Sequence, residues 1–355
     1  MKKIVALLLA ALMIAAMAMT VMAQDAAPAG DIDIESIEPV TLIATSTRGE
    51  QLEGAYIAFL DRVKERSGGR IDYEFYGAGS LVAANETVDA LLDGRCDMAM
   101  INIANFDSLF PMSANVVSLP FMGMTKEGCD VFGEVTGKYP QILEKEIEGN
   151  GLHLISYNMT PAINLCVKSD VPPVSPSDIS GKKIIGMSAT MLKVIEACGG
   201  APLQVAFPDC YSSLQGGVAD GIFQNEGAIV STGLHEVAPQ VVIFQENGGL
   251  YFDVAFHCMS KDFWESLSPA AQQIITEEAA ALHTEETALR FTDMDRFDGA
   301  VKDAGCTVTV LSEEETQAWK ELAQPVIDAK VEEITSRDGC DIFKEAYEYA
   351  QSVMK

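Results

Sequence analysis

The chain lacks most of the short patterns on which catalytic and metal sites are built. It has only four histidines, at positions 153, 235, 257 and 283, and none of them falls in an HExxH or HxH arrangement. No GxSxG stretch occurs, and no two of the eight cysteines are spaced as CxxC. A zinc knuckle, a dithiol redox motif, a zinc-protease helix and a nucleophile elbow are therefore excluded as local motifs. A catalytic set assembled from distant residues stays open as an alternative.

Positive charge is also scarce, with 24 Lys and Arg against 52 Asp and Glu and a formal net charge of −28. Nucleic acids and anionic membranes are polyanions, so this charge opposes binding to either of them. The acids are spread along the chain, which predicts a solvated acidic surface. Attraction of a cationic ligand is the alternative. No hydrophobic run beyond the N-terminus approaches the length of about 20 residues that a membrane span needs.

The N-terminus has the order of a secretory signal. Lys2 and Lys3 precede an apolar run over 4–19, and the small residues Val21 and Ala23 precede Gln24. We expect a signal peptide over 1–23 and an extracytoplasmic mature protein. An N-terminal membrane anchor is the alternative, but the run is short for a span. Export permits disulfides, although spacing does not reveal which cysteines pair.

Two α/β lobes follow from the order of periodic segments. Residues 24–39 are acidic and contain two prolines, which predicts a flexible leader before folded structure begins near Val40. Three strand-like segments then alternate with two helix-like ones, at 40–44, 49–67, 70–76, 85–93 and 96–101. This order predicts parallel strands joined by right-handed crossovers. A second set of predicted strands lies at 151–157, 163–168, 183–187, 203–207, 220–223, 241–244 and 251–259.

Helical sequence dominates the C-terminal third. Ser268 and Pro269 form a helix start, after which some 30 residues pass without Gly or Pro until Gly299. Ser312 and Glu315 fit a capping box for a helix to about residue 336, and 341–354 predicts a last helix. On spacing alone, a hinged two-lobe binder and a two-domain α/β enzyme fit this pattern equally well.

Four segments carry the most specific pattern in the chain. The first combines Ser67-Gly68-Gly69-Arg70-Ile71 with Gly79-Ser80-Leu81 and the stretch 86–99, and the second is Leu119-Pro120-Phe121. The third and fourth are 178–184 (DISGKKI) and 211–221 (YSSLQGGVADG). In this order they resemble the DctP-type substrate-binding proteins of TRAP transporters (tripartite ATP-independent periplasmic transporters), with a similarity that runs from about residue 40 to the C-terminus. Each motif alone is weak, but four in the right order behind an export signal are specific.

The resemblance implies a two-lobed periplasmic-binding-protein-like α/β fold with hinge strands, a long bracing helix and a helical C-terminal tail. Lobe I would comprise 40–158 and 250–289, and lobe II 159–249 and 290–355. Such a protein captures a small organic solute, by resemblance an organic acid, in an interlobe cleft and delivers it to a TRAP permease in the membrane. We expect a monomer without a cofactor and without enzymatic activity. An exported enzyme and a sensing lobe that docks on a receptor are the alternatives.

The resemblance fails at the position that usually holds a carboxylate. Members of the family grip it with an Arg directly after the third segment, and the matching position here is Ile185, followed by Gly186. A second Arg would fall near Pro161, yet none occurs between Arg95 and Arg290. An isoleucine cannot replace the two charge-assisted hydrogen bonds of a guanidinium, so the ligand must be held in another way.

Candidate ligand residues are those that follow predicted strands, because loops at the carboxyl ends of strands line the binding crevice of open α/β sheets. Arg48 near a helix start could bind an anion. Asn102, Asn105, Asn158, Ser188, Thr190, Gln224 and Asn225 occupy similar positions. Apolar walls could come from Phe121, Ile185, Phe207, Tyr211 and Phe223. A cationic ligand would favour Glu226 or Asp253 as its partner.

Overall fold

The computed structural model describes residues 32–47, 53–122, 130–160, 163–244 and 250–354, with the backbone alone at 290–291 and 293–295. The predicted signal peptide and Arg48 lie outside the described residues.

The chain divides into two compact units. The first unit consists of the N-terminal part of the chain up to Asn102, together with Asp130–Asn158 and Ala255–Glu286. The second unit consists of Ile103–Cys129, Met159–Val254 and Thr287–Lys355. This division differs from the predicted lobes at 250–254, at 287–289 and, most extensively, at 103–129, which were predicted in lobe I and belong to the second unit. The physical reason is that Asp107 binds Lys330, and that the Phe121 ring packs on Phe244, both within the second unit.

The first unit is built on a five-stranded sheet in the order β2-β1-β3-β10-β4. Its strands are β1 (Val40–Thr45), β2 (Ile71–Tyr76), β3 (Met98–Asn102), β4 (Leu152–Met159) and β10 (Val254–Ser260). The strand β1 pairs in parallel with both β2 and β3, as the sequence predicts. The pairing of β10 with β3 is antiparallel, which strand–helix alternation did not predict.

The helices of the first unit are α1 (Gly54–Arg66), α2 (Thr87–Leu92), α3 (Val131–Lys138), α4 (Gln141–Glu146) and α9 (Lys261–Ser266). Apolar residues of α1 recur on one face, and Tyr56, Phe59, Leu60 and Val63 are buried. This face covers the sheet, whereas the opposite face carries charge.

The second unit has a six-stranded sheet in the order β11-β9-β5-β8-β6-β7. Its strands are β5 (Ile163–Val167), β6 (Lys183–Ile185), β7 (Ala201–Leu203), β8 (Gly221–Asn225), β9 (Gln240–Ile243) and β11 (Thr307–Val310). The strand β6 pairs in parallel with β7 and β8, and β5 pairs antiparallel with β8 and β9. The predicted strand at 203–207 overlaps the structure at Leu203 alone, because β7 ends there and residues 207–209 form a 3₁₀ turn around Pro208.

The helices of the second unit include α5 (Ala189–Ala197), α6 (Cys210–Gln215), α7 (Glu226–Ser231), α8 (Leu234–Val237), α11 (Glu313–Thr335) and α12 (Phe343–Val353). The 35-residue helix α10 (Pro269–Asp303) begins in the first unit and continues in the second. The capping box of Ser312 and Glu315 that starts α11 is confirmed, with Ser312 Oγ accepting from Glu315 N–H at 3.2 Å.

Equivalent aspartates align the parallel strands of the two units. The Asp97 carboxylate accepts a hydrogen bond from the Ile43 N–H at 2.8 Å, while the Asp97 N–H donates to the Ile43 carbonyl at 2.8 Å. Asp220 forms the same pair of bonds with Lys183, at 2.8 and 2.7 Å. Each Asp therefore satisfies both backbone groups of a residue on the neighbouring strand, a structural role for two motif positions.

The predicted leader is ordered in its last part. Residues Ile34–Ser36 form a 3₁₀ turn, and the side chain of Ile37 is 1% exposed. The Arg70 guanidinium donates to the Ile37 carbonyl at 3.1 Å and pairs with Glu35. The expectation of a flexible leader up to residue 39 is therefore wrong for 32–39. In the described part of the chain, no helix is both long and apolar enough to cross a membrane.

Candidate functional site

A pocket opens at the N-terminus of α5 in the second unit. Its lining comes from the turns after β3, the first residues of α5 and the segment before β10: Ala104, Asp107, Ala114, Asn115, Ser118, Ser188, Ala189, Thr190 and Asp253. All of these residues belong to the second unit. The pocket therefore brings together three regions of the chain that are far apart in sequence.

The start of α5 has the form of a capped helix. Ser188 is the N-cap residue, and its Oγ accepts from the Met191 N–H at 3.2 Å. A Cβ built at Gly186 would lie 3.0 Å from Ile195 and 3.1 Å from Leu192, so the chain reaches α5 through a position that only glycine fills without a shift. The close packing of Ile195 and Leu192 of α5 against position 186 explains why this residue is a glycine.

Asp107 at the pocket wall is fixed by basic side chains of the C-terminal region. Its carboxylate accepts from Lys330 Nζ at 2.8 Å and from Asn115 Nδ2 at 2.7 Å, and it lies 3.5 Å from the Arg337 guanidinium. Burial alone would raise the pKa of Asp107, but the Lys330 and Asn115 hydrogen bonds and the Arg337 charge outweigh it and lower that pKa. Asp107 is thus a charged anchor between the pocket and α11.

Most of the predicted strand-end residues of the second unit form hydrogen bonds with neighbouring residues of the same unit. The Asn225 side chain caps α7 by accepting from the Ala228 N–H at 2.8 Å. The buried Gln224 Oε1 accepts from the Asn225 backbone and side-chain N–H groups at 2.8 and 3.0 Å. Ser188 does line the pocket, together with Thr190. Asn105 is exposed on the 3₁₀ turn after β3.

The predicted apolar wall residues differ widely in exposure. Phe207 is 37% exposed and Tyr211 is half-buried, so both side chains are partly accessible to solvent. Ile185, at 0% exposed, lies in a core cluster with Cys166 and Ile222, which gives it a packing role. Phe223 is also a core residue and stacks against Phe244 at 6.1 Å.

Phe121 has an unusual backbone, with φ at +65°. This left-handed conformation is uncommon for a residue with a bulky side chain and is a form of local strain. The Phe121 N–H donates to the Leu250 carbonyl at 2.8 Å, and its ring packs on Phe244 at 6.0 Å. The fold therefore holds the Leu-Pro-Phe motif in one fixed shape.

Asn158 and Asn102 belong to the first unit and are not among the described residues that line the pocket. The Asn158 amide is buried and donates to Glu286. His257 Nε2 lies 3.0 Å from the same carboxylate, and the Tyr56 ring packs edge-on against the imidazole at 4.6 Å. Burial raises the pKa of Tyr56. His257 thus has a structural role in the first unit.

The candidate acids for a cationic ligand have different settings. Glu226, 4% exposed, accepts from Asn164 Nδ2 at 2.9 Å inside the second unit. Asp253 lines the pocket, and its backbone N–H donates to Thr160 Oγ1 at 2.9 Å. Of the two, Asp253 is therefore the acid placed to meet a ligand in the pocket.

The sequence did not predict several of the residues that line or support the pocket. Asp107, Asn115 and Ser118 lie in the irregular stretch between β3 and the Leu-Pro-Phe motif, where no periodicity singles them out. Lys330 lies on the buried face of α11, 223 positions from its partner Asp107. A polar residue in an apolar stretch, such as Asn115 in 109–119, was the one available signal.

The described residues contain no metal-binding group and no disulfide. No cluster of three or more His, Cys, Asp or Glu side chains has the geometry to hold an ion. All seven described cysteines are free thiols. Burial raises the pKa of Cys96 to about 12 and those of Cys198 and Cys210 to about 11, which keeps these thiols protonated and unreactive at neutral pH.

A comparison with known protein families identifies the family of this chain. Residues 44–334 match DctP, the bacterial extracellular solute-binding protein family 7. The chain belongs to the DctP family of bacterial extracellular solute-binding proteins. The resemblance inferred from four motifs is thereby confirmed, as is an extracytoplasmic place of action. The enzyme alternative is set aside, because this is a family of solute receptors.

Curated relatives cover most of the chain at low identity. The ectoine-binding periplasmic protein TeaA of Halomonas elongata is 29% identical over 279 residues, which are 76% of this chain and 78% of TeaA. The C4-dicarboxylate-binding periplasmic protein DctP of Rhodobacter capsulatus is 26% identical, with 78% of this chain and 81% of that protein aligned. This DctP-family chain therefore has relatives with chemically different ligands.

Solved structures agree on the fold. A TRAP periplasmic solute-binding protein from Sulfitobacter sp. NAS-14.1 with bound β-D-galacturonate has a TM-score of 0.76 at 23% identity, covering 88% of this chain and 100% of that one. A TRAP periplasmic solute-binding protein from Rhodoferax ferrireducens with bound malonate has a TM-score of 0.75 at 20% identity, covering 88% and 98%. The predicted two-lobed α/β fold of this DctP-family chain is thereby confirmed.

Proposed function

We propose that this receptor captures a small organic acid outside the cytoplasm and, as a monomer, delivers it to a TRAP-type permease. The observation that carries the proposal is the match to the solute-binding family over 44–334. Relatives and structural neighbours that bind dicarboxylates, uronates and malonate support the ligand class.

The proposed ligand residues in the second unit are Phe121, Ser188, Phe207, Tyr211, Gln224 and Asn225. Arg48, Asn102, Asn105, Asn158 and Ile185 complete the predicted set. Within this set, the Phe207 and Tyr211 side chains are partly accessible to solvent and Ser188 lines the pocket, which supports a contact with solute. Because the matching clamp position is Ile185, Arg48 is our candidate for a cationic contact to the acid.

A thermal-shift panel tests the function. C4-dicarboxylates, uronates, hydroxy acids, aromatic acids and ectoine would each be added to the purified mature protein. A ligand at 100 times its Kd stabilises the folded state by about 2.7 kcal/mol, which raises Tm by several degrees in a protein of this size. Positive solutes would be titrated by calorimetry, and light scattering would give the mass with and without solute. A panel without a single positive solute contradicts solute capture.

A matched pair of variants tests the aromatic contact. Phe207→Ala removes a 37% exposed ring, and we expect a roughly 10-fold or greater loss of affinity for the solute found above. Val218→Ala removes an apolar side chain that is 57% exposed elsewhere on the same unit and serves as the control. Equal affinities in the two variants would remove Phe207 from the proposed site.

A further inference from the structure

The pocket at the start of α5 offers hydrogen-bond donors that the protein does not use. The N–H groups of the first turn of a helix have no acceptor within that helix. Ser188 satisfies the Met191 N–H, while those of Ala189 and Thr190 have no partner among the described residues. Because α5 has nine residues, these groups stand at the end of a regular helix.

Two hydroxyl groups point to an occupant from outside the protein. Thr190 is only 6% exposed and lines the pocket, and none of the hydrogen bonds within the described ranges involves its hydroxyl. Ser118 Oγ lies on the same pocket, is buried, and has no partner there. A buried polar atom is normally paired, so the unpaired Ser118 Oγ, on the same small pocket as the Thr190 hydroxyl, indicates a missing ligand.

The charges on the pocket wall favour a hydroxyl group over a carboxylate group as the bound part of a ligand. Among the residues that the structure describes, the pocket lining holds the carboxylates of Asp107 and Asp253 and no Lys, Arg or His. Two described cations beside this wall, Lys330 and Arg337, are engaged by the Asp107 carboxylate. A carboxylate in this pocket would meet like charge, whereas a hydroxyl can accept from the N–H groups and donate to Asp253.

We propose that this pocket binds a hydroxyl group of the captured solute, and that Thr190 and the first turn of α5 select hydroxylated acids over their deoxy counterparts. The proposal rests on the solute-capture function above and deepens it. The acid group of the same solute binds outside this pocket. Thr190 and Ser118 are then specificity-determining residues, and the receptor's substrate class is the hydroxy acids, including sugar acids.

The test compares acids that differ by hydroxyl groups alone. Lactate with propionate, malate with succinate, and gluconate with hexanoate would be titrated into the mature protein by calorimetry. We expect the hydroxylated member of the binding pair to bind roughly 10- to 100-fold more tightly, because the deoxy acid leaves the pocket's buried donors unpaired. Thr190→Val keeps the side-chain shape and should reduce that ratio about 10-fold, with Ser118→Ala acting in the same direction.

Thr292→Val, the same substitution on the exposed surface of α10, is the matched control and should leave the ratio unchanged. Circular dichroism and Tm would show that each variant folds. A deoxy acid that binds as tightly as its hydroxylated partner overturns the inference, as does a Thr190→Val variant that weakens both members equally. Binding confined to solutes without hydroxyl groups overturns it while leaving solute capture intact. Absence of binding by every solute of both panels counts against the proposed function itself.

Discussion

At the scale of single residues, the buried carboxylate of Glu286 satisfies two polar side chains in the first unit. Asn158 donates to it, and His257 Nε2 lies 3.0 Å away. A carboxylate only accepts, so Nε2 carries the proton in this contact. Removing Glu286 would leave two buried polar groups without their acceptor, which costs more than the bonds contribute when formed.

We therefore expect Glu286→Ala to lower the free energy of unfolding by about 3 kcal/mol, measured by urea denaturation. Glu286→Gln restores one acceptor and should cost about 1 kcal/mol. Glu285→Ala on the same helix is the control. Its carboxylate pairs with Arg62 and is 42% exposed, so its loss should cost under about 0.5 kcal/mol. Similar costs for the Glu285 and Glu286 alanine variants would contradict this role.

His153 makes stability depend on pH. Its ring stacks on Trp264 at 4.0 Å, and burial lowers the pKa of His153 to about 4, while Glu148 acts in the opposite direction. The unfolded chain takes up this proton near pH 6.5, but the folded protein does not until about pH 4. The unfolded state is therefore favoured increasingly as pH falls through this window.

The expected outcome is a decline in Tm between pH 6.5 and 4 that His153→Gln reduces. An NMR titration of the imidazole gives an independent measurement. A His153 pKa at or above 6.5 would contradict the assignment, and Tm would then have a different pH dependence.

At the scale of elements, Asp97 and Asp220 align parallel strands in the two units by the same pair of backbone contacts. The acceptor oxygen matters for this role, whereas the charge does not. Burial raises the pKa of Asp97, although the Ile43 N–H acts against this, so the site disfavours the carboxylate's charge. An asparagine keeps the acceptor and removes that charge.

Asp97→Asn should therefore change the free energy of unfolding by less than about 0.5 kcal/mol, and Asp97→Ala should lower it by about 2 kcal/mol. Chemical denaturation of both variants measures this difference. Asp89→Ala provides the comparison, since Asp89 is an exposed residue on α2. Equal losses for the Asn and Ala variants would show that the charge, and not the acceptor, is what counts.

Elements with strong local patterns could be predicted from the sequence, and those defined by distant contacts could not. The alternation in β2 and the capping box of α11 are local, and both predictions are confirmed. The strand β11 was missed because its four residues pair only with β9, more than 60 positions away. Helices α3 and α4 were also missed, because each is too short for apolar residues to recur several times with the helical period.

The pocket depends even more on distant contacts. Ser188 and Thr190 could be predicted because they follow a strand, and the strand β6 does end just before them. Asp107, Asn115 and Ser118 lie on turns whose position is set by Lys330 and Arg337 of the C-terminal region. No sequence rule connects these segments, because the ion pairs that join them form only in the folded unit.

At the scale of the whole molecule, the net charge of −28 should oppose the approach of an anionic solute. Repulsion between like charges is screened by salt, with a Debye length of about 30 Å at 0.01 M and about 10 Å at 0.1 M. The association rate constant of an acid should therefore rise with ionic strength. The association of oppositely charged partners, in contrast, becomes slower as salt is added.

We expect the logarithm of this rate constant to rise about twice as steeply for a dianion such as malate as for a monoanion such as gluconate, since the repulsion scales with solute charge. Stopped-flow fluorescence of the two tryptophans can follow capture between 0.01 and 0.15 M salt. A neutral sugar below its binding range would control for effects of salt on the protein's emission. A rate that falls with salt would contradict repulsion by the acidic surface, and would show that a local cation, Arg48 being our candidate, dominates the field that the solute meets.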